Sequence, residues 1–334
     1  MSENPCRVSI IIKTLNEEHR IAAAIESSLA ALEKVGGEII LADSYSTDQT
    51  INIAKKYPIR IVQLANPNER CCGIGPQLGY QYARGEFIYI LDGDMELYPE
   101  FLPTGIDAML QQPELAGVSG QVIEMNTESL EYISRMERAS AHMQVGEVDR
   151  LDMGGLYRRG AIEQVGYFSN RNLHSYEEFD LAVRLRAKGW QLRRLAMPSV
   201  RHYGHDAPPY QLLIKRWQSA YICGLGELVK AALGKPHLGL ILTGVRELKL
   251  YLAVLGWWLS LFTIGLMPIS NIYKYLGLLF LLVMPLIVMT IRKKSLNKAV
   301  YSVISWSFNA MGLLRGVLAK QQSPLLSIES KTIS

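Results

Sequence analysis

The segment Asp92-Gly93-Asp94 carries two carboxylates two residues apart, directly after the apolar run Phe87-Ile88-Tyr89-Ile90-Leu91. The run reads as a buried strand. In an extended segment, side chains two apart share a side, so both carboxylates are expected to aim at one point beyond the strand. Carboxylate oxygens suit a hard divalent ion such as Mg2+ or Mn2+. Such an ion can neutralise a diphosphate as it departs. A solvated turn carries the same residues often enough; the position after a strand is what favours chemistry.

Three further groups stand out. Asp43-Ser44-Tyr45-Ser46-Thr47-Asp48 follows a second strand, and a carboxylate there can hydrogen-bond a base or a ribose. Glu177-Glu178-Phe179-Asp180-Leu181 opens a helix. Its acids are either a first turn favoured by the helix dipole or a general base within reach of an acceptor hydroxyl. His202 is either an ordinary histidine or a third metal-directed group.

These residues need a scaffold, and the pattern supplies one. Residues 8–12 are a short β-branched run, consistent with a buried strand. Asn16 offers an N-cap, with Glu17 and Glu18 in a first helical turn. Ile21, Ile25, Leu29 and Leu32 then give one apolar helix face, which Gly36-Gly37 ends. Residues 38–42, 59–64 and 87–91 read as further strands. Ser46 to Gln49 has capping-box spacing before a second helix, and a short helix is expected over 77–83. Beyond them come a strand at 118–124, helices at 128–143 and 176–188, and short strands at 192–195 and 199–202. Strand-helix alternation of this kind predicts an α/β fold with a mainly parallel sheet. Ligands of such sheets bind beyond the carboxyl ends of the strands.

The formal net charge of +4 over 334 residues gives no dense basic stripe, which argues against a nucleic-acid partner. Cys6, Cys71, Cys72 and Cys223 form no C-x-x-C pair and no disulfide framework, so reduced thiols are expected. No apolar stretch follows a basic start in residues 1–7, so the catalytic part is expected to stay on the cytoplasmic face of the plasma membrane. Gly73, Gly75 and Gly79 do not have the dinucleotide spacing, and no P-loop lysine follows.

The last part of the chain is different. Residues 250–267 carry no charge, and residues 272–291 carry only Lys274 near their start. Either stretch, as a helix, is long enough for a hydrocarbon core of about 30 Å. Arg292-Lys293-Lys294 follows the second, marking that end as cytoplasmic by the positive-inside rule. Residues 299–318 are a weaker third candidate, interrupted by Asn309 and Arg315; a span and an interfacial helix are equally open. The reading divides the chain into a catalytic domain at 1–207, interfacial helices at 208–246, membrane helices at 247–320 and a tail at 321–334. The basic and apolar mixture over 210–233 suits a membrane surface.

Three stretches, VSIIIKTLNE at 8–17, EIILADSYSTDQT at 38–50 and ARGEFIYILDGDMEL at 83–97, resemble the consecutive nucleotide-sugar motifs of family 2 glycosyltransferases. Residues 154–189 resemble the acceptor-side block of that family. The resemblance implies a GT-A fold, a nucleoside diphosphate sugar donor and Mg2+ or Mn2+. It places the donor nucleotide on Thr14, Asn16, Glu17, Asp43, Ser44, Asp92 and Gly93. It places the metal on Asp92, Asp94 and His202, with His205 as the alternative to the histidine. Glu178 matches the catalytic base, beside Glu177. The base position holds glutamate instead of the commoner aspartate. Pro76 stands where many members carry a basic residue near the diphosphate, and Tyr45 replaces a usual small residue.

The expected reaction is inverting transfer of the sugar to a hydroxyl of a lipid-linked or cell-envelope glycan. Two alternatives remain. A polyprenyl phosphate is already an anion and needs no base. An inactive membrane scaffold would keep the fold without the chemistry. Gln211 and Arg216-Trp217 lack the Q-x-x-R-W spacing of processive synthases, which favours single addition.

Overall fold

The structure, a computed structural model, describes residues 7–127, 141–204 and 207–333. Most of the helix expected over 128–143, and His205, lie outside these. The chain forms two units, residues 1–207 with 321–334, and residues 208–320.

The first unit is built on a ten-stranded sheet. In chain order its elements are β1 (Val8–Thr14), α1 (Ile21–Leu32), β2 (Gly37–Asp43), α2 (Thr50–Ala54), β3 (Arg60–Leu64), α3 (Ile74–Tyr82) and β4 (Phe87–Asp92). Then follow β5 (Met95–Leu97), α4 (Phe101–Gln111), β6 (Leu115–Glu124), β7 (Gly146–Val148), β8 (Gly155–Arg158), α5 (Arg159–Gln164), α6 (Glu177–Arg186) and β9 (Gln191–His202). The closing strand, β10 (Ser330–Thr332), comes from the tail and adds to the edge at β3. The spatial order is β10-β3-β2-β1-β4-β8-β6-β9-β5, with β7 also on β9.

β3, β2, β1 and β4 are parallel, as alternation with helices predicts. Ile10, Ile11 and Ile12 of β1 are all 0% exposed because helices cover both faces. Burying each such side chain is worth about 1.5–3 kcal/mol. Past β4 the sheet turns mixed: β8 runs antiparallel to β4 and to β6, while β6 and β9 are parallel with register shifts. Residues 191–202 are one bent strand, β9, where the sequence suggested two.

Two capping expectations fail for the same reason. Asn16 has φ 59° and does not cap α1, which starts at Ile21. Its side-chain oxygen accepts instead from the Thr47 N–H at 2.8 Å. Ser46 turns back to the Asp43 carboxylate, and Asp48 accepts from the Thr50 N–H at 3.0 Å ahead of α2. The loops after β1 and β2 satisfy each other's polar groups, and local capping patterns lose to that long-range pairing.

The second unit contains α7 (Pro209–Gln218), a 3-10 turn (Tyr221–Cys223), α8 (Gly224–Ala232), α9 (Leu238–Gly244), α10 (Arg246–Leu266), α11 (Asn271–Lys293) and α12 (Leu296–Leu318). Among the described residues, α10 and α11 are the two helices long and apolar enough to cross a membrane.

Candidate active site

The sheet register assembles the first cluster. Thr14 pairs with Asp43, and Lys13 pairs with Asp92, so three strands end at one rim. Lys13 Nζ lies 3.0 Å from Asp92 Oδ1 and 3.3 Å from Glu177 Oε1. Burial would push the ammonium's pKa down; the carboxylates of Asp92, Glu177 and Glu178 reverse this and hold it well above its ordinary value. Burial raises the Asp92 pKa, and Lys13 offsets only part of that. Burial also raises Glu178, and Asp152, Glu177 and Asp92 add to the rise against Lys13. Burial thus disfavours the ionised form of Glu178, and the Lys13 ammonium is the cation that opposes this.

Lys13, Pro76, Tyr157, Ser169, Glu177 and Glu178 line one cleft. Its far wall is fixed by two anchors. The Gln77 side-chain oxygen accepts from the N–H groups of Phe168 and Ser169 at 3.0 and 2.9 Å. Arg184 pairs with Asp180 at 2.8 Å and donates to the carbonyls of Tyr167 and Phe168. Asp180 thus serves the scaffold. The buried hydroxyls of Ser169 and Thr14 have no hydrogen-bond partner among the described residues. A buried hydroxyl without a partner costs free energy, and a polar ligand at this rim would remove that cost.

The second cluster sits past the turn. β4 ends at Asp92, and Gly93 and Asp94 form a turn, so the two carboxylates do not share one extended segment. Asp94 Oδ2 faces His202 Nε2 at 3.4 Å, and His202 Nδ1 lies 2.7 Å from Glu124 Oε2. Glu124 and His202 are register partners on β6 and β9, and Met95 pairs with His202 from the other side. Burial would lower the imidazole's pKa, but its hydrogen bonds to Asp94 and Glu124 win and raise it to about 9. A Cβ on Gly93 would meet Thr14 Oγ1 at 2.9 Å and Glu17 Cγ at 3.0 Å, so glycine lets the turn press against the loop after β1.

The third group is on the β2 side. Asp43 is fully buried and accepts from the Ser46 N–H at 2.8 Å and from Gln63 Nε2 at 2.9 Å. Ser44 N–H donates to the Thr14 carbonyl at 2.9 Å. The Arg70 guanidinium lies 5.4 Å from the centroid of the Tyr45 ring. Thr14, Asp43, Ser44, Asp92 and Gly93 therefore border one rim. Asn16 and Glu17 lie in the loop beyond β1, where their N–H groups donate to Ser46 and Thr50.

Lys13, Glu124, Ser169 and Arg70 were missed by sequence reasoning. Lys13 had a signal, since it is the one charged residue of strand β1. Glu124 had none, because its partner is 78 residues away.

Among the described residues, no three His, Cys, Asp or Glu side chains are placed to hold an ion by themselves. Asp94 and His202 do offer a hard oxygen and an imidazole nitrogen facing each other, a donor set that Mn2+ accepts. Glu124 on Nδ1 orients the ring so that Nε2 is the coordinating atom. The residues fit an ion held by two protein groups.

The profile of glycosyl transferase family 2 matches residues 9–166. A dolichol-phosphate mannosyltransferase of Pyrococcus furiosus is 26% identical over 114 residues, 33% of this chain and 32% of that protein. An undecaprenyl-phosphate 4-deoxy-4-formamido-L-arabinose transferase of Pectobacterium atrosepticum is 29% identical over 119 residues, 33% of this chain and 36% of that protein. The matched stretch thus spans about a third of these relatives. The mannosyltransferase PcManGT of Pyrobaculum calidifontis, solved with GDP-Man and Mn2+, has a TM-score of 0.57 at 16% identity, over 95% of this chain and 90% of that one. That likeness is one of fold. Residues 9–166, which carry Thr14, Asp43, Asp92 and Asp94, are a family 2 glycosyltransferase domain.

Proposed function

We propose that this protein is a divalent-metal-dependent, inverting glycosyltransferase that moves a sugar from a nucleoside diphosphate sugar to a hydroxyl of a lipid-linked or envelope glycan. One observation carries the reading: Lys13, Asp92, Glu177 and Glu178 converge on a cleft with the unpartnered Ser169 hydroxyl, at the carboxyl ends of β1 and β4. The nucleoside lies over Thr14, Asp43 and Ser44, with Asn16 and Glu17 bordering the loop. The sugar enters the cleft, where Ser169 meets a sugar hydroxyl. Asp94 and His202 would hold Mg2+ or Mn2+, whose chemistry is to neutralise the leaving diphosphate. Glu124 keeps the His202 ring aimed. Glu178 takes the proton of the acceptor hydroxyl as the base.

A second reading is transfer to a polyprenyl phosphate, favoured by two observations. Both relatives above carry a polyprenyl phosphate in their names, and burial disfavours the ionised form of Glu178 that a base needs. The cleft itself argues for the hydroxyl, because the carboxyl groups of Glu177 and Glu178 that line it offer an acceptor hydroxyl a hydrogen-bond partner.

The test is a donor-hydrolysis screen over nucleotide sugars with and without Mn2+, followed by transfer assays with Glu178→Gln. Mn2+-dependent hydrolysis of one donor supports the enzyme. No hydrolysis and no linked binding of Mn2+ and nucleoside diphosphate would leave a scaffold. Full transfer by Glu178→Gln would select the phosphate acceptor.

A further inference from the structure

The tail of the chain decides how its membrane section is threaded. Residues 321–334 belong to the catalytic unit. β10 pairs antiparallel with β3, Ser330 opposite Leu64 and Thr332 opposite Val62. Ile328 is buried in the core, and its N–H and carbonyl both bond the Gln81 side chain, at 2.7 and 3.2 Å. The buried Arg171 donates to the carbonyls of Leu326 and Ser327, each at 3.1 Å. The chain thus leaves a folded sheet after residue 207 and rejoins the same sheet at 321. A sheet of this kind cannot straddle a bilayer, because its loops and edges need water or protein partners. The number of crossings between 208 and 320 must be even.

Packing within the second unit says which helices cross. α10 and α11 carry their buried apolar residues near one end of the hairpin, Leu248 and Val254 early in α10 and Met289 late in α11. Toward the connecting turn they expose Phe262, Leu266, Ile272 and Tyr273, each about two-thirds exposed. α12 is bound along its length to elements that precede the first crossing. Tyr301 stacks edge-on to Tyr210 at 5.2 Å, and Phe308 to Trp217 at 5.5 Å. A Cβ on Gly312 would lie 2.4 Å from the Ile222 carbonyl oxygen, and one on Gly316 would lie 2.1 Å from that of Cys223. Lys230 donates to the Ala319 carbonyl at 2.6 Å. Backbone contact this close holds α12 against the 3-10 turn and α8.

Charge agrees. Residues 208–320 contain 13 Lys and Arg against two acids, Glu227 and Glu247, and only Lys274 lies near the turn of the hairpin. The exposed apolar residues Ile214, Met311, Leu314 and Leu318 sit beside Lys215, Arg216 and Arg315 in sequence. That mixture suits the boundary between acyl chains and anionic headgroups.

We propose that residues 208–320 cross the bilayer twice, through α10 and α11, and that α12 lies along the anionic leaflet facing the catalytic unit instead of crossing. The proposal rests on α10 and α11 being membrane spans, and the experiment separates the two. The full chain is expressed with epitope tags at both ends, and tag accessibility is read in sealed vesicles of known orientation. Both tags are exposed on the same face; tags on opposite faces overturn the proposal. Ser270→Cys and Leu318→Cys are then placed singly in a chain whose four native cysteines are replaced by alanine. A membrane-impermeant maleimide reaches Ser270→Cys only from the face opposite the tags, and Leu318→Cys only from the tagged face. Labelling of Ser270→Cys from the tagged face instead defeats the spans themselves. In vesicles with anionic lipid, a dye on Met311→Cys, placed within α12 in the same cysteine-free chain, is quenched more by a headgroup spin label than by a chain-end one. The reverse order places α12 in the bilayer core and overturns the proposal.

Discussion

Asp92 and Asp94 are two residues apart and meet opposite cations. Asp92 is tied to Lys13, a permanent ammonium whose pKa lies well above its ordinary value. Asp94 faces His202, whose positive charge is a proton that leaves at a pKa of about 9. The first cluster carries a built-in cation; the second carries one that can be exchanged. That difference matches the roles proposed above. In that proposal the Lys13 cluster is a fixed floor for the sugar and the base, and the His202 cluster is where a divalent ion would replace a proton.

The sharpest way to break this division is Glu178→Gln. With a hydroxyl acceptor, kcat falls by about 10²–10⁴, the usual worth of a general base, while Mn2+ binding is unchanged. Loss of Mn2+ binding would show that the two clusters are not separate. Asp94→Asn is the mirror experiment. Mn2+ affinity, read by electron paramagnetic resonance, collapses, and kcat drops by about 10²–10³, as when one contact to developing charge is removed.

Lys13→Met leaves Asp92 and Glu177 without their cation. Breaking such a pair costs about 3 kcal/mol when it is well buried; with Asp92 30% exposed, a loss of about 1–2 kcal/mol in denaturant unfolding is expected. The rise of activity with pH also moves to higher pH, because Lys13 opposes the raised pKa of Glu178. An unmoved pH profile would put Lys13 outside the reaction. Glu124→Gln tests the orienting contact and should weaken Mn2+ binding by about 10–100-fold with little change in nucleotide affinity.

The last check is a pH dependence without metal. The folded-state pKa of His202, about 9, exceeds the ordinary 6.5. The stability it contributes is therefore complete below pH 6.5 and lost as pH rises through 9, at most about 3 kcal/mol. Urea unfolding of metal-free protein between pH 6 and 9.5 reads it. In the His202→Asn variant the slope disappears, and a surviving slope would point to other groups.

Much of the site was written in short stretches of sequence. Asp43 and Asp92 fall at strand ends because β-branched runs precede them, and parallel strands bring their carboxyl ends to one rim. Glu177 and Glu178 open α6 at the first turn expected from their spacing. Local patterns misjudged Asn16 and Ser46, whose side chains accept from the Thr47 and Asn16 N–H groups, 31 and 30 residues away. They also gave no hint that β8 would run antiparallel to β4 or that residues 191–202 would be a single strand.

Sequence by itself determined what short-range chemistry controls: which runs are strands, which carboxylates follow them, and which helices are apolar enough for a bilayer. Tertiary structure alone decided which cation each carboxylate meets, since Lys13 to Glu177 and Glu124 to His202 span 164 and 78 residues. It also decided that the tail returns to the sheet, where unpaired N–H and carbonyl groups at the β3 edge needed a partner. Those contacts depend on where the backbone closes in space, and a spacing along the chain does not encode that distance.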